Sequence, residues 1–254
     1  LLISVLQRAY GIRLDEAVIT DADAFAHFNA FFTRALKPEA RPIDPTPGAL
    51  VCPADGRVSQ IGPISVGRIV QAKGMDYSVA ELLGGHDEEA ERFAGGGFAT
   101  VYLSPRDYHR VHAPCAGRLR RAIHVPGRLF SVAPWTTESI PRLFARNERL
   151  ALLFDTDPGP LAVVLVGAIF VSSIETVFDG EVTPPYADRV RVRDYSGTNA
   201  PSFALGDEIG RFNMGSTVIL LSGAGLPGWR ADLAAGDPVR MGLRLSSIPE
   251  TAGG

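Results

Sequence analysis

The chain has 254 residues, 46% of them hydrophobic and 21% charged, enough for one large globular domain with a small appendage. Its net charge of −3 excludes the overall basic footprint of a nucleic-acid binder. No apolar run reaches the roughly 18–20 residues that a spanning helix needs, and no signal peptide is visible.

At the N-terminus, Leu2, Val5, Leu6, Ala9 and Tyr10 recur at helical spacing and predict a helix within Leu1–Leu14. The first residue is leucine rather than methionine, so the expectation is a piece of a longer chain. Asp21 or Asp23 can cap a second helix running to about Thr33, which carries Phe25, Phe28, Phe31 and Phe32. Two readings of these aromatics stand side by side: packing of the helix against the body, or an amphipathic surface dipping into a bilayer interface. Lys37–Pro47 is rich in proline and charge and reads as a linker.

The body opens near Leu50. Strand-like runs split by glycine and proline follow at Val58–Ile64, Phe98–Leu103, Arg118–Val125, Leu150–Phe154, Leu161–Phe170 and Glu175–Val177. Ser78 and Glu81 form a capping box for a short helix through Leu83, and Asp87 can start another through Phe93. Short strands with few helices predict a β-rich body. Arg189, Arg191 and Arg193 alternate with Val190 and Val192, which puts the arginines on one face of a strand. Such a face is ordinarily solvated; the other reading is contact with lipid phosphates, and Arg118, Arg120, Arg121 and Arg128 admit the same two. Cys52 and Cys115 make no disulfide framework and are expected as buried free thiols in a reducing compartment.

Residues 211–221 read RFNMGSTVILL. Val218–Leu221 is an apolar, β-branched run expected as a buried strand, with small, polar Gly-Ser-Thr at its entrance. A serine hydroxyl just after a glycine carbonyl can attack that carbonyl when a base takes its proton. Taken alone, such a triplet is more often a turn that opens a strand. Candidate partners lie upstream: His109 and His112 in SPRDYHRVHAP, and Asp55 in VCPADGRVSQ. Histidines three apart point to opposite faces of a strand or to one face of a helical turn, so they share a site only if the backbone bends. Each alone reads as a structural hydrogen bond, and Asp55-Gly56 as a turn.

The blocks FFTRALKPEARPID, CPADG, QAKG, YLSPRDYHRVHAPC, PGRLFSV, LFARNER, VGAIFVSSIETV and RFNMGSTV run collinearly from about Phe31 to Leu221. By these blocks the chain resembles the proteobacterial-type phosphatidylserine decarboxylases. One departure is Met214, where that family usually has leucine, a swap that keeps volume. The resemblance implies an α+β, mainly β fold, with a barrel-sandwich-like body and short N-terminal helices. It implies a membrane-associating helical segment and linker over 1–47 and a catalytic domain over 48–254, cut into pieces 1–215 and 216–254.

The same resemblance implies the roles. Ser216 is the nucleophile, His112 the general base and Asp55 the acid that orients a histidine, a serine-protease triad used once on its own backbone at Gly215–Ser216. Acyl shift, elimination and loss of ammonia then leave a pyruvoyl group at 216. That ketone forms a Schiff base with the amine of phosphatidylserine and accepts the electrons released with carbon dioxide. His109 is expected to serve decarboxylation or protonation rather than cleavage. Implied partners are the lipid, a membrane surface on the cytoplasmic side of the cell membrane, the enzyme's own second chain, and a second copy in a homodimer. No metal is expected. Three other readings were a pyruvoyl decarboxylase of free amino acids, a zinc hydrolase using His109, His112 and Asp55, and a non-catalytic β module.

Overall fold

The structure, a computed structural model, describes residues 2–169, 173–182, 188–213 and 216–248. It is mainly β, with 37% strand and 17% helix, in agreement with the expected class.

The first helix, α1, spans Leu2–Tyr10 and stops where Gly11 takes a φ of +63°, a conformation glycine adopts at little cost. The second expected helix forms as two pieces. Asp21 caps a single 3-10 turn, Ala22–Ala24, through a bond from the Asp23 N–H. The chain extends at Phe25, and His27 caps a new helix, α2, Phe28–Phe32, by accepting from the Ala30 N–H. The aromatics point inward: Phe25, Phe31 and Phe32 are buried, the first two in a small core with Ile12, Leu14 and Ala17. Apolar groups at the surface of this segment are instead Val5, Tyr10, Val18 and Ile19. The further short helices include α3, Val79–Leu82, with the expected Ser78–Glu81 capping box, and α4, Asp87–Glu91.

In chain order the strands are β1 Gly56–Pro63, β2 Arg68–Ala72, β3 Met75–Ser78, β4 Gly97–Leu103, β5 Arg110–His112, β6 Gly117–Val125, β7 Arg149–Thr156, β8 Gly159–Gly167, β9 Ile174–Thr176, β10 Gly180–Glu181, β11 Arg191–Asp194, β12 Ser202–Phe203, β13 Glu208–Phe212, β14 Ser216–Ser222 and β15 Pro238–Val239. The large sheet runs β11-β6-β7-β8-β14-β4-β1-β15, with β12 also on β6; a smaller sheet runs β10-β9-β13-β5, and β2 pairs β3. The arginine alternation is carried by β11 from Arg191 on, with Arg189 ahead of the strand. Its valines Val190 and Val192 are exposed too, because β11 is an edge strand.

The strand β14 lies in the middle of the large sheet, between β4 and β8. Its residues alternate between two cores. Val218 and Leu220 join Val101, Leu103, Val163 and Leu165, covered by Val111, Ile209 and Phe212 of the smaller sheet. Ile219 and Leu221 join Val164 and Val166 on the other face, under Tyr77, Val79, Leu82 and Phe93. A sheet covered on both faces explains the unbroken apolar run Val218–Leu221. In chain order β14 follows β13: β13, in the small sheet, ends at Phe212, and β14, in the large one, starts at Ser216.

Candidate active site

Ser216 pairs with Leu103 at the end of β4 and with Gly167 at the end of β8, so it opens the central strand at the mouth of the sheet. Met214 and Gly215, one side of the expected scissile bond, lie outside the described residues. The last described residue before them, Asn213, is tied to the layer below. Its N–H donates to the Ser173 carbonyl at 3.0 Å and its Nδ2 to Ser173 Oγ at 2.5 Å, while its Oδ1 accepts from Asn29 Nδ2 at 2.8 Å.

From Leu103 the chain enters the histidine-bearing turn. The Asp107 carboxylate accepts from the Ser104 N–H at 2.8 Å and Oγ at 2.6 Å, which folds the loop back. His109 is the last residue before β5 and His112 the last residue within it. The bend lets both histidines be buried in one layer, beside β13, where the Phe212 N–H donates to the His109 carbonyl.

His112 has a defined tautomer. Its Nδ1 lies 2.8 Å from the Gly206 carbonyl, which only accepts, so Nδ1 carries the proton. Its Nε2 is then the basic nitrogen and accepts from the Tyr108 hydroxyl at 2.9 Å. Burial lowers the pKa of His112 below the usual histidine value; the Gly206 bond and the charge of Glu208 oppose this in part.

His109 is fully buried, its ring centroid 4.0 Å from that of Phe32. Nδ1 donates to the Asp107 carbonyl at 2.9 Å, and the Arg34 Nη2 reaches the neighbouring Arg106 carbonyl at 3.1 Å. Among the described residues, Nε2 is buried with no hydrogen-bond partner. Burial, with a further push from the Arg34 charge, lowers the pKa of His109 to about 3, so the ring is neutral at physiological pH.

Asp55 lies beside this layer: the His112 N–H donates to the carbonyl of Pro53, two residues before it. Its carboxylate binds Arg41 and the Met241 N–H rather than either imidazole, and Arg41 also holds Glu16. The charge of Asp55 reaches His112 through space and favours its protonated form. Gly56 follows because β1 passes close to β4 there: a Cβ would meet the Tyr102 carbonyl oxygen at 2.2 Å. A cavity of about 610 Å³ is walled by Asp55, Arg41, Arg34, Ser104 and Tyr108, among others.

The structure therefore gathers His109, His112 and Asp55 in one region and puts Ser216 at the strand end from which that region's loop departs. Three contributors had no role in the reading of the sequence. Arg41 sits in the stretch taken for a linker, and only its place in the block FFTRALKPEARPID marked it. Tyr108, directly before His109, is a second. Asn147, in LFARNER, is fully buried; its Nδ2 donates to the Phe130 and Gly167 carbonyls, both at 2.9 Å, which pins PGRLFSV to the end of β8 opposite Ser216.

Comparison with known proteins gives a consistent result. Residues 28–247 match the phosphatidylserine decarboxylase family. The chain is 56% identical over 246 residues to the phosphatidylserine decarboxylase proenzyme of Pseudomonas putida (strain W619), covering 96% of this chain and 85% of that protein. It is 60% identical over 221 residues to the proenzyme of the same name from Alkalilimnicola ehrlichii, covering 87% and 77%. A third relative of that name, from Methylococcus capsulatus, is 58% identical over 246 residues, covering 97% and 85%.

Proposed function

The chain belongs to the phosphatidylserine decarboxylase family, and we propose that it matures by cutting itself between Gly215 and Ser216 before it converts phosphatidylserine to phosphatidylethanolamine and carbon dioxide. The observation that carries this reading is the place of Ser216: it opens the central strand where the chain crosses between sheets, beside the histidine-bearing loop that leaves β4 at Leu103.

In the proposed cleavage, His112 Nε2 takes the proton of the Ser216 hydroxyl as its oxygen attacks the Gly215 carbonyl. The Nδ1–H bond to Gly206 holds the ring in the tautomer this requires. Asp55 acts from a distance, its charge stabilising the imidazolium that forms. The resulting ester breaks by elimination, and loss of ammonia leaves a ketone at 216. Two chains then remain together, because β14 in the short piece is paired along both edges with β4 and β8 of the long one.

A pyruvoyl group at 216 supplies the electron sink for loss of carbon dioxide. One group of the histidine-bearing layer suits such a ketone: among the described residues, His109 Nε2 is a buried base with no hydrogen-bond partner. We assign it the proton taken from the substrate amine and returned to the former α-carbon. The segment 1–47 is the proposed contact with the lipid surface, through the exposed Val5, Tyr10, Val18 and Ile19. No helix among the described residues is long and apolar enough to cross a membrane.

Intact mass spectrometry of the purified protein tests the reading. The expected result is two pieces, the shorter starting at residue 216 with the mass of a pyruvoyl in place of serine, and one uncut, inactive chain for Ser216→Ala. A single continuous chain with active turnover overturns it.

A further inference from the structure

Self-cleavage at Gly215–Ser216 requires that one peptide bond be held in a fixed orientation to its own neighbouring hydroxyl. Orientation of this kind is worth orders of magnitude in rate. On the downstream side the two ladders of β14 hold the chain from Ser216 on. On the upstream side β13 ends at Phe212, and the last described anchor before the bond is Asn213.

The side chain of Asn213 meets a residue from the far end of the sequence. Asn29 Nδ2 donates to its Oδ1 across a separation of 184 residues. Asn29 lies on α2, a helix of five residues, far too short to be stable alone. That helix is held by its neighbours around the site: Phe31 and Phe32 are buried, Phe32 lies on His109, and the Arg110 Nε donates to the Thr33 carbonyl at 2.9 Å. The same short segment thus touches the chain just before the scissile bond and one of the two histidines. The other atom of the Asn29 amide, Oδ1, is buried with no partner among the described residues. An amide left half satisfied is a costly way to fill space, and its link to Asn213 accounts for its presence.

Resting on the maturation proposed above, we propose that Asn29 is a positioning residue for self-cleavage: through Asn213 it fixes the approach of the Gly215 carbonyl to the Ser216 hydroxyl, so that the bond is cut only once the N-terminal segment has docked. Asn29 touches neither reacting group. Its contribution is the orientation of Asn213 against the layer that carries Ser173 and His109.

The test is a pulse of cell-free synthesis of the whole chain, followed by a chase in which cleavage is read on denaturing gels. Asn29→Ala is expected to cut about tenfold more slowly than the unsubstituted chain, the scale of one well-placed hydrogen bond. Asn213→Ala is expected to be slow as well, and the double variant no slower than the slower single one, because both remove one linkage. Multiplying effects, or cleavage of Asn29→Ala at the unsubstituted rate, overturn the proposal. If Asn29→Ala lowers the thermal midpoint of an uncut Ser216→Ala background, Asn29→Leu takes its place. It keeps the side chain's volume on α2 but has no donor for Asn213 Oδ1, and it is expected to slow cleavage similarly; an unchanged rate there overturns the proposal too. If the unsubstituted chain itself stays whole, the maturation reading fails, a different outcome from cleavage that ignores Asn29.

Discussion

Arg41 and Asp55 form a two-pronged ion pair: Nε lies 2.9 and 3.0 Å from the two carboxylate oxygens and Nη2 lies 2.5 Å from Oδ2, with the side chains only 7% and 9% exposed. The pair sets a guanidinium against both oxygens of a buried carboxylate. Removing one partner of a buried pair leaves the other charge without compensation. Arg41→Leu is therefore expected to cost about 3–5 kcal/mol of stability, measured by urea unfolding in a Ser216→Ala background. The double variant Arg41→Leu, Asp55→Asn should regain much of that loss. A single variant as stable as its parent would show that the Met241 N–H and water suffice for Asp55.

The pH dependence of maturation follows from His112. Its basic nitrogen works only when unprotonated, and burial holds its pKa below the usual 6.5. Protonation, and with it loss of the base, should come only below that value. Cleavage rates are expected to be level from about pH 8 down to about 6.5 and to fall at more acidic pH. A half-maximal rate above 6.5 would contradict this assignment of the base.

Tyr108 occupies the lone pair that His112 would use. The hydroxyl must swing away before Nε2 can take a proton from Ser216. Tyr108→Phe removes this competitor, so cleavage is expected to be at least as fast as in the unsubstituted chain. A clear slowing would place Tyr108 in the proton path instead.

Phe32 keeps His109 dry. Phe32→Ala is expected to cost about 3–5 kcal/mol for the lost packing and to let water reach the imidazole. The folded chain keeps His109 neutral down to about pH 3, whereas the unfolded chain protonates it near the ordinary 6.5. Between those values the unfolded state binds the extra proton, so His109 makes stability fall as pH falls. Phe32→Ala should flatten that part of the profile and add an acid limb to lipid turnover near the ordinary histidine value. Urea midpoints at a series of pH values read the first effect. An unchanged slope would mean that the rest of the layer, not Phe32, excludes the water.

The lipid contact assigned to the N-terminal segment rests on Val5, Val18 and Ile19, which are 57%, 59% and 41% exposed. Aspartate at all three is expected to reduce co-sedimentation with phospholipid vesicles several-fold and to leave self-cleavage unaffected. Equal sedimentation of the triple variant would move the contact to another surface.

Much of the strand content could be read directly. The runs at Phe98–Leu103 and Arg118–Val125 differ from the observed strands by a residue or less, because β-branched apolar stretches bounded by glycine and proline have few other stable outcomes. The Ser78–Glu81 capping box could be read for a similar reason: all its bonds lie within four residues. The second helix could not be read as well. Asp21 supports one turn, and the chain then restarts at His27, a division set by how Phe25 and Phe31 are buried together at 5.5 Å.

The sequence by itself determined the family, the chemical identity of Ser216, His109, His112 and Asp55, and the unbroken apolar run Val218–Leu221 that β14 buries on both faces. These depend on side-chain chemistry and on the order of residues along the chain. Only the tertiary structure decided that Asp55 faces Arg41 rather than an imidazole, which nitrogen of His112 carries the proton, and that Asn29 meets Asn213. Each of these is a hydrogen bond or ion pair between groups 14, 94 and 184 residues apart. Such contacts are fixed by the path of the chain between two sheets, and no local pattern encodes that path.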